Sequence, residues 1–240
     1  GGKGMKRFFS IILLLTFLFM GNTSFAYDES RLPTREDYNK LVEEGVLGES
    51  VTYEQFYELQ KESLELEEQL GDDWEKITIT RANASSYRIL GGDIFVTNGR
   101  ISSGLIGHAG IAINSQEILS TRKGDIPRTK SLQYWIKNYV NASDKLWLNV
   151  YRYKYSTDAL KAARWAEKTY KGSSARYRID GDFSNTSYTY CSKIVWQAYR
   201  YGIPKTDIGY PPKAAGFYAP ISPLKLSHYI NPTSLAKAFR

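Results

Sequence analysis

Cys191 is the only cysteine among 240 residues, and the chain carries two histidines, His108 and His228. A thiol and an imidazole suffice for nucleophilic catalysis. The imidazole takes the thiol's proton on activation and returns one to the leaving group. Other chemistries lack their residues. No His-Glu-x-x-His or Cys-x-x-Cys occurs, so the usual zinc sites are not expected. No Gly-x-Ser-x-Gly marks a serine-hydrolase elbow. Gly91-Gly92 lacks the spacing and the lysine of a phosphate loop and precedes a strand pattern. No cofactor is expected.

The elements that must position these groups can be read around them. Ile194, Val195, Ala198 and Tyr201 recur at three- and four-residue steps after Cys191, and Gly202 and Pro204 follow, which predicts a helix with one apolar face. Thr189 or Ser187 is placed to cap it, with Cys191 in or just before the first turn. Unpaired amides and the helix dipole there favour a thiolate, so the thiol is expected to ionise below a free one. The alternative is a small buried residue in an amphipathic helix. His108 stands in a strand pattern, Gly107 to Ile113, between small neighbours that leave room for a partner. His228 lies in Pro223 to Tyr229, which reads as a peripheral helix or turn, so the spacing favours His108.

Further elements follow the same rules. Thr34-Arg35-Glu36-Asp37 and Thr52-Tyr53-Glu54-Gln55 are capping-box patterns that open two helices, ending near Gly45 and Gly71. Strands are expected at Ile77 to Ile79, Ile94 to Val96, Glu117 to Thr121 and Leu146 to Tyr153, with helices at Ser131 to Val140 and Ser156 to Tyr170. A polar loop, Ser173 to Ser187, leads into the cysteine helix, and six prolines lie from Pro204 to Pro232.

Taken in order, Gly92-Asp93-Ile94, Gly107-His108-Ala109-Gly110-Ile111, and Tyr190-Cys191-Ser192 with Val195-Trp196 and Ala198-Tyr199 resemble the permuted papain-like branch of the NlpC peptidase superfamily. That branch includes YiiX-like bacterial proteins and the lecithin:retinol acyltransferase group. The likeness covers roughly Leu90 to Tyr229. It implies an α+β fold, a small antiparallel barrel-like sheet packed on the cysteine-bearing helix, with Cys191 as nucleophile and His108 as base. It also implies a polar residue, Glu or His in the family, that orients the imidazole from the next strand. Here that position falls on Ser120. Hairpin geometry bears on the same point. A three-residue turn at Asn114-Ser115-Gln116 pairs His108 with Arg122 and sets Ser120 diagonal to the histidine on its face. A two-residue turn brings Thr121 opposite instead. Glu117 points to the other face in the first register.

Residues 5–26 read as a secretory signal: a basic start, a short apolar run and the small residues Ser24 and Ala26. An acidic helical extension follows at 27–76, with 16 Asp+Glu against 5 Lys+Arg, and a papain-like catalytic domain at 77–240, with 9 against 24. Opposite charge suggests that the extension docks on the domain, with Phe56, Leu59, Leu64 and Leu70 as an apolar stripe that salt does not screen.

The expectation is a secreted cysteine hydrolase, a peptidase or amidase forming a thiolate acyl-enzyme, acting on cell-wall peptide or a small N-acyl amino-acid amide. Two alternatives are a lipid acyltransferase or thiol hydrolase using the same Cys–His pair, and a non-catalytic basic-aromatic module binding an anionic cell-surface polymer. Nucleic acid is not an expected partner, and no transmembrane segment is expected once the signal is removed.

Overall fold

The computed structural model describes residues 32–65, 74–99 and 107–203, with the backbone of 213–214 and 217–218. The expected signal segment, the side chains of Leu64 and Leu70, His228 and most of the proline-rich tail lie outside the described residues.

Two capped helices come first. Helix α1 (Arg35–Glu43) is closed by a reciprocal capping box between Thr34 and Asp37. Helix α2 (Tyr53–Glu65) starts with the same exchange, Gln55 N–H to Thr52 Oγ1 and Thr52 N–H to Gln55 Oε1. Such a cap stabilises a helix by about 1 kcal/mol. Both boxes stand where the sequence placed them.

Six strands then form one antiparallel sheet: β1 (Trp74–Ile79), β2 (Ile94–Thr97), β3 (His108–Ala112), β4 (Ile118–Ser120), β5 (Arg128–Lys130) and, after helix α3 (Leu132–Tyr139), β6 (Leu148–Tyr153). Their spatial order is β1-β6-β2-β3-β4-β5. The sheet is open at β1 and β5, not closed as the barrel-like expectation had it. Helices cover both of its faces, so apolar surface is buried without closure. On one face Ile94, Val96, Ala109, Ile111, Leu119 and Tyr151 join the core that also holds helices α4 (Ser156–Tyr170) and α5 (Cys191–Gly202). On the other, Phe95, Ala112, Ile118, Leu148 and Val150 pack with Trp135 and Tyr139 of α3. β1 crosses the 76/77 boundary between extension and domain drawn from charge.

The loop before α5 contains two short strands, β7 (Arg176–Tyr177) and β8 (Tyr188–Thr189), paired in parallel. Two residues carry no readable period, and neither does the polar β5. The described chain ends in a hairpin of β9 (Lys213–Ala214) and β10 (Phe217–Tyr218).

The extension is part of the main core. Leu41, Val46, Leu47, Val51, Phe56 and Leu59 belong to the same cluster as Ile194, Trp196 and Ala198 of α5. Leu47 bridges Ile179, with Ile179 N–H to Val46 O at 2.7 Å and Gly48 N–H to Ile179 O at 2.8 Å. An ion pair, Lys123 to Glu44, joins the acidic and basic parts at half-buried side chains. Apolar burial therefore outweighs charge here. Phe56 is fully buried, so Phe56→Ala should cost about 3–5 kcal/mol, whereas Lys123→Gln should cost no more than about 1 kcal/mol. Urea unfolding at low and high salt checks both. A Phe56→Ala loss below that of Lys123→Gln would show that charge holds the extension.

Candidate active site

Cys191 is the first residue of α5, after Tyr190 in an extended conformation (φ −144°, ψ 168°). No side chain caps this helix; neither Thr189 nor Ser187 takes the capping role that the sequence allowed them. Thr189 belongs to β8 instead, which points its backbone elsewhere. Residues 191–199 are all buried, not merely one face. α5 lies between β3 and the small-residue face of α4 (Ala159, Ala162, Ala163, Ala166), while Tyr201, expected on the apolar stripe, is 38% exposed.

Burial on every side forces the helix's polar groups to find partners. Lys193, fully buried, donates to Asp180 Oδ1 at 3.0 Å and to Tyr188 O at 2.9 Å. Gln197 donates to Phe183 O at 2.7 Å and accepts from the Tyr170 hydroxyl. Tyr199 Oη donates to Gly92 O at 2.7 Å, tying the helix to the turn before β2. Gly92 has φ +95° and Ala159 directly over it, so only glycine fits that turn.

His108 opens β3. The register is that of the three-residue turn: Ile111 opposite Leu119, Ala112 opposite Ile118, and Ile113 N–H bonded to Glu117 O. Ser120 Oγ then lies 2.9 Å from His108 Nε2 and 2.6 Å from Ala109 O. A carbonyl can only accept, so the single hydroxyl proton goes to Ala109 O. The hydroxyl oxygen must therefore accept from Nε2–H. This fixes the tautomer: Nδ1 carries the lone pair. Nδ1 is buried and has no hydrogen-bond partner among the described residues. Thr121 instead donates to Asp125 O at 3.4 Å. Glu117 bonds Asn114, Thr129 and Lys171, away from the histidine.

The imidazole is clamped from its other face. Trp135 stacks on it at 5.1 Å and 14°, and Tyr139 lies at 6.1 Å. Gly110, opposite Ser120 in the register, makes room: a Cβ there would come within 2.8 Å of the Trp135 ring. Sequence reasoning did not single out Trp135 or Tyr139. Their four-residue spacing on α3 was the available signal.

Thiol and imidazole approach from different faces of β3. Cys191 belongs to the cluster on the α5 face, with Ala109, and His108 stacks on the α3 face. The links between them run through neighbours: the amide of Ala109, next to His108 in the strand, favours the Cys191 thiolate, and Tyr139, 6.1 Å from the imidazole, feels the charge of the sulfur. The helix-start amides of Cys191 and Ser192 act in the same direction as Ala109. Burial nonetheless wins. It pushes the thiol up from an ordinary 9.0 to about 11, the reverse of the lowered value expected from the helix start. Burial, with the nearby Arg122 charge, pushes His108 down from 6.5 to about 3. At rest the pair is a neutral thiol and a neutral imidazole.

A family model described as lipoprotein N-acylation protein LnsA-like matches residues 69–230, and so takes in the sheet, Cys191, His108 and Ser120. The chain belongs to that family. An uncharacterized 30.3 kDa protein of Bacillus thuringiensis is similar to it, 36% identical over 131 residues. The match covers 51% of this chain and 48% of that protein, so the chain spans about half the length of this relative. No solved structure matches.

The LnsA-like chain should show both perturbed groups in its pH–stability curve. Folded His108 stays neutral to about pH 3 while the unfolded imidazole protonates near 6.5. The stability it contributes is complete above 6.5 and is lost as pH falls, with a slope up to about 1.4 kcal/mol per pH unit. Folded Cys191 keeps its proton to about pH 11, so its contribution is lost as pH rises above about 9. Denaturant titrations should find the slope between pH 4 and 6 reduced in His108→Gln and the slope above pH 9 reduced in Cys191→Ala. Alkylation of Cys191 should follow an apparent pKa above the free-thiol value. A value below about 8.5 would show that the helix-start amides win.

Proposed function

We propose that this chain is a Cys–His acyltransferase that takes an acyl group from an ester as a Cys191 thioester and hands it to an amine, leaving an amide. The observation that carries this reading is the polarity imposed by Ser120, which leaves His108 Nδ1 as a buried base with no partner among the described residues, on the strand whose Ala109 amide favours the helix-start Cys191 thiolate. The LnsA-like description, lipoprotein N-acylation, supports transfer over the peptide or amide hydrolysis expected from the sequence. We read the fold as permuted papain-like, akin to the lecithin:retinol acyltransferase group, and the leader pattern at residues 5–26 as directing the protein out of the cell.

On this reading the steps are as follows. Sγ attacks the ester carbonyl as its proton passes to His108 Nδ1, once the two are brought into hydrogen-bond reach by the bound donor. The Cys191 backbone N–H, at the helix start where intrahelical acceptors are lacking, is the donor we assign to the developing oxyanion. The C–O bond breaks, and the imidazolium returns the proton to the leaving alkoxide. An amine then attacks the thioester, loses a proton to Nδ1, and Sγ leaves and recovers it. Ser120 accepts from Nε2–H throughout, so the imidazolium forms without changing tautomer. Starting from two neutral groups, the thiol is deprotonated only when a carbonyl is in place. A buried thioester is also less open to water than an exposed one, which favours the amine.

Intact-mass analysis after incubation with phospholipid vesicles should show one added acyl chain, removed by neutral hydroxylamine and absent in Cys191→Ala and His108→Ala. Ser120→Ala should form it roughly tenfold more slowly, the worth of one hydrogen bond, and Ser120→Thr should restore most of the rate. An adduct that survives Cys191→Ala, or no adduct with any ester donor, overturns the proposal. A basic-aromatic binding module would give the second result.

A further inference from the structure

Beside the imidazole is a small half-open cavity of about 30 Å³, and the mechanism above makes no use of it. His108, Ser120 and Trp135 form its base. Its wall is cationic: Arg122 after β4, and Arg128 and Lys130 on β5. Asp125 is the only carboxylate among the lining residues. It takes Arg128 Nε at 2.7 Å and stands 3.9 Å from Arg122 Nε. Three cations against one carboxylate leave an excess of two positive charges. Lys130 sits over the Tyr134 ring at 5.2 Å and has no carboxylate partner among the described residues. Arg122 and Arg128 keep about half of their side-chain surface exposed, so their remaining donors are free to turn inward.

Cations gathered beside a histidine oppose its protonation. Evaluated on the protein alone, the arrangement is unfavourable, since Arg122 disfavours the charged imidazole that acyl transfer needs. It becomes favourable once an anion occupies the cavity. Arginines and a lysine converging from β5 and the turn after β4 match the several oxygens of a phosphate, which arginine binds through paired N–H donors. The size agrees. A volume of 30 Å³ holds about two waters, which suits a compact oxyanion with an open side and excludes an acyl chain.

We propose that the cavity lined by Arg122, Arg128 and Lys130 is the subsite for the phosphate of a phospholipid acyl donor, placed beside the base so that docking the headgroup also offsets the Arg122 field on His108. The assignment to a donor rests on the acyl-transfer reading; the binding of phosphate does not. The lipid's leaving oxygen and its phosphate are joined through a glycerol, so a headgroup held beside His108 keeps the alkoxide near the group that must protonate it.

Calorimetric titration of the full Cys191→Ala chain with sn-glycerol 3-phosphate tests the site without turnover. Saturable binding is expected, weakened at least tenfold by Arg128→Gln with Lys130→Gln and unchanged by Arg164→Gln on the exposed side of α4. Acetate should bind far more weakly. Equal affinity for acetate, no saturation, or no effect of the double substitution overturns the phosphate site. Binding of inorganic phosphate that phosphatidylglycerol vesicles do not displace would mark a site for free phosphate and overturn its assignment to the donor. The two proposals fail separately. A Cys191 thioester in a chain that binds no phosphate removes the subsite alone. Phosphate binding in a chain that forms no thioester removes the acyl-transfer reading, and with it the assignment to a donor, and leaves the phosphate site.

Discussion

The complete burial of the first nine residues of α5 is the constraint on which the rest of the structure depends. A helix with sheet on one side, α4 on another and the extension on a third has no face on which to leave a polar group. Lys193 and Gln197 therefore need internal partners, and Asp180, Tyr188, Phe183 and Tyr170 supply them. Removing one member of the Lys193–Asp180 pair would leave a charge in the core at a cost of about 3–5 kcal/mol. Those partners fix the loop between α4 and α5, and with it the approach of β8 that sets where Cys191 begins its helix.

The same burial decides the electrostatics of the site. Helix-start amides and the Ala109 N–H favour a thiolate, yet taking the sulfur out of water opposes it more strongly. An acidic residue in the place of Ser120 would stabilise an imidazolium at rest. A hydroxyl with its proton committed to Ala109 O does so less, and chiefly holds the ring in one tautomer. Both departures lead to an uncharged pair. On the acyl-transfer proposal, charge separation is deferred to the moment a substrate supplies the compensating groups.

Much of this was legible in the chain. The two capping boxes, the turn at Asn114-Ser115-Gln116 and the diagonal placement of Ser120 follow from local rules, because caps and hairpin registers are set by residues three or four apart. The thiol's ionisation did not follow, since a helix start is a local feature whereas desolvation comes from everything packed around it. The apolar periodicity of α5 also misled. A stripe at Ile194, Val195 and Ala198 implied a solvated opposite face, but α4 and the loop from Ala175 cover it. Short strands such as β5 and β7 have too few residues to show a pattern, and the cationic wall beside His108 was hidden with β5.

Because Leu41 of α1 and Phe56 and Leu59 of α2 share one core with Ile194 and Trp196, the fold cannot close until its first and last described helices are both available. The sheet repeats the theme, since β6 inserts between β1 and β2. Such distant pairings make for slow folding. A chain emerging in order from its N-terminus holds its early strands unfinished until α5 arrives. From the arrival of α5 until the core closes, the thiol has the ordinary reactivity of an unfolded cysteine and is open to oxidants and disulfide exchange. Completion of the core withdraws it from both. Folding thus serves as the protective group of the thiol.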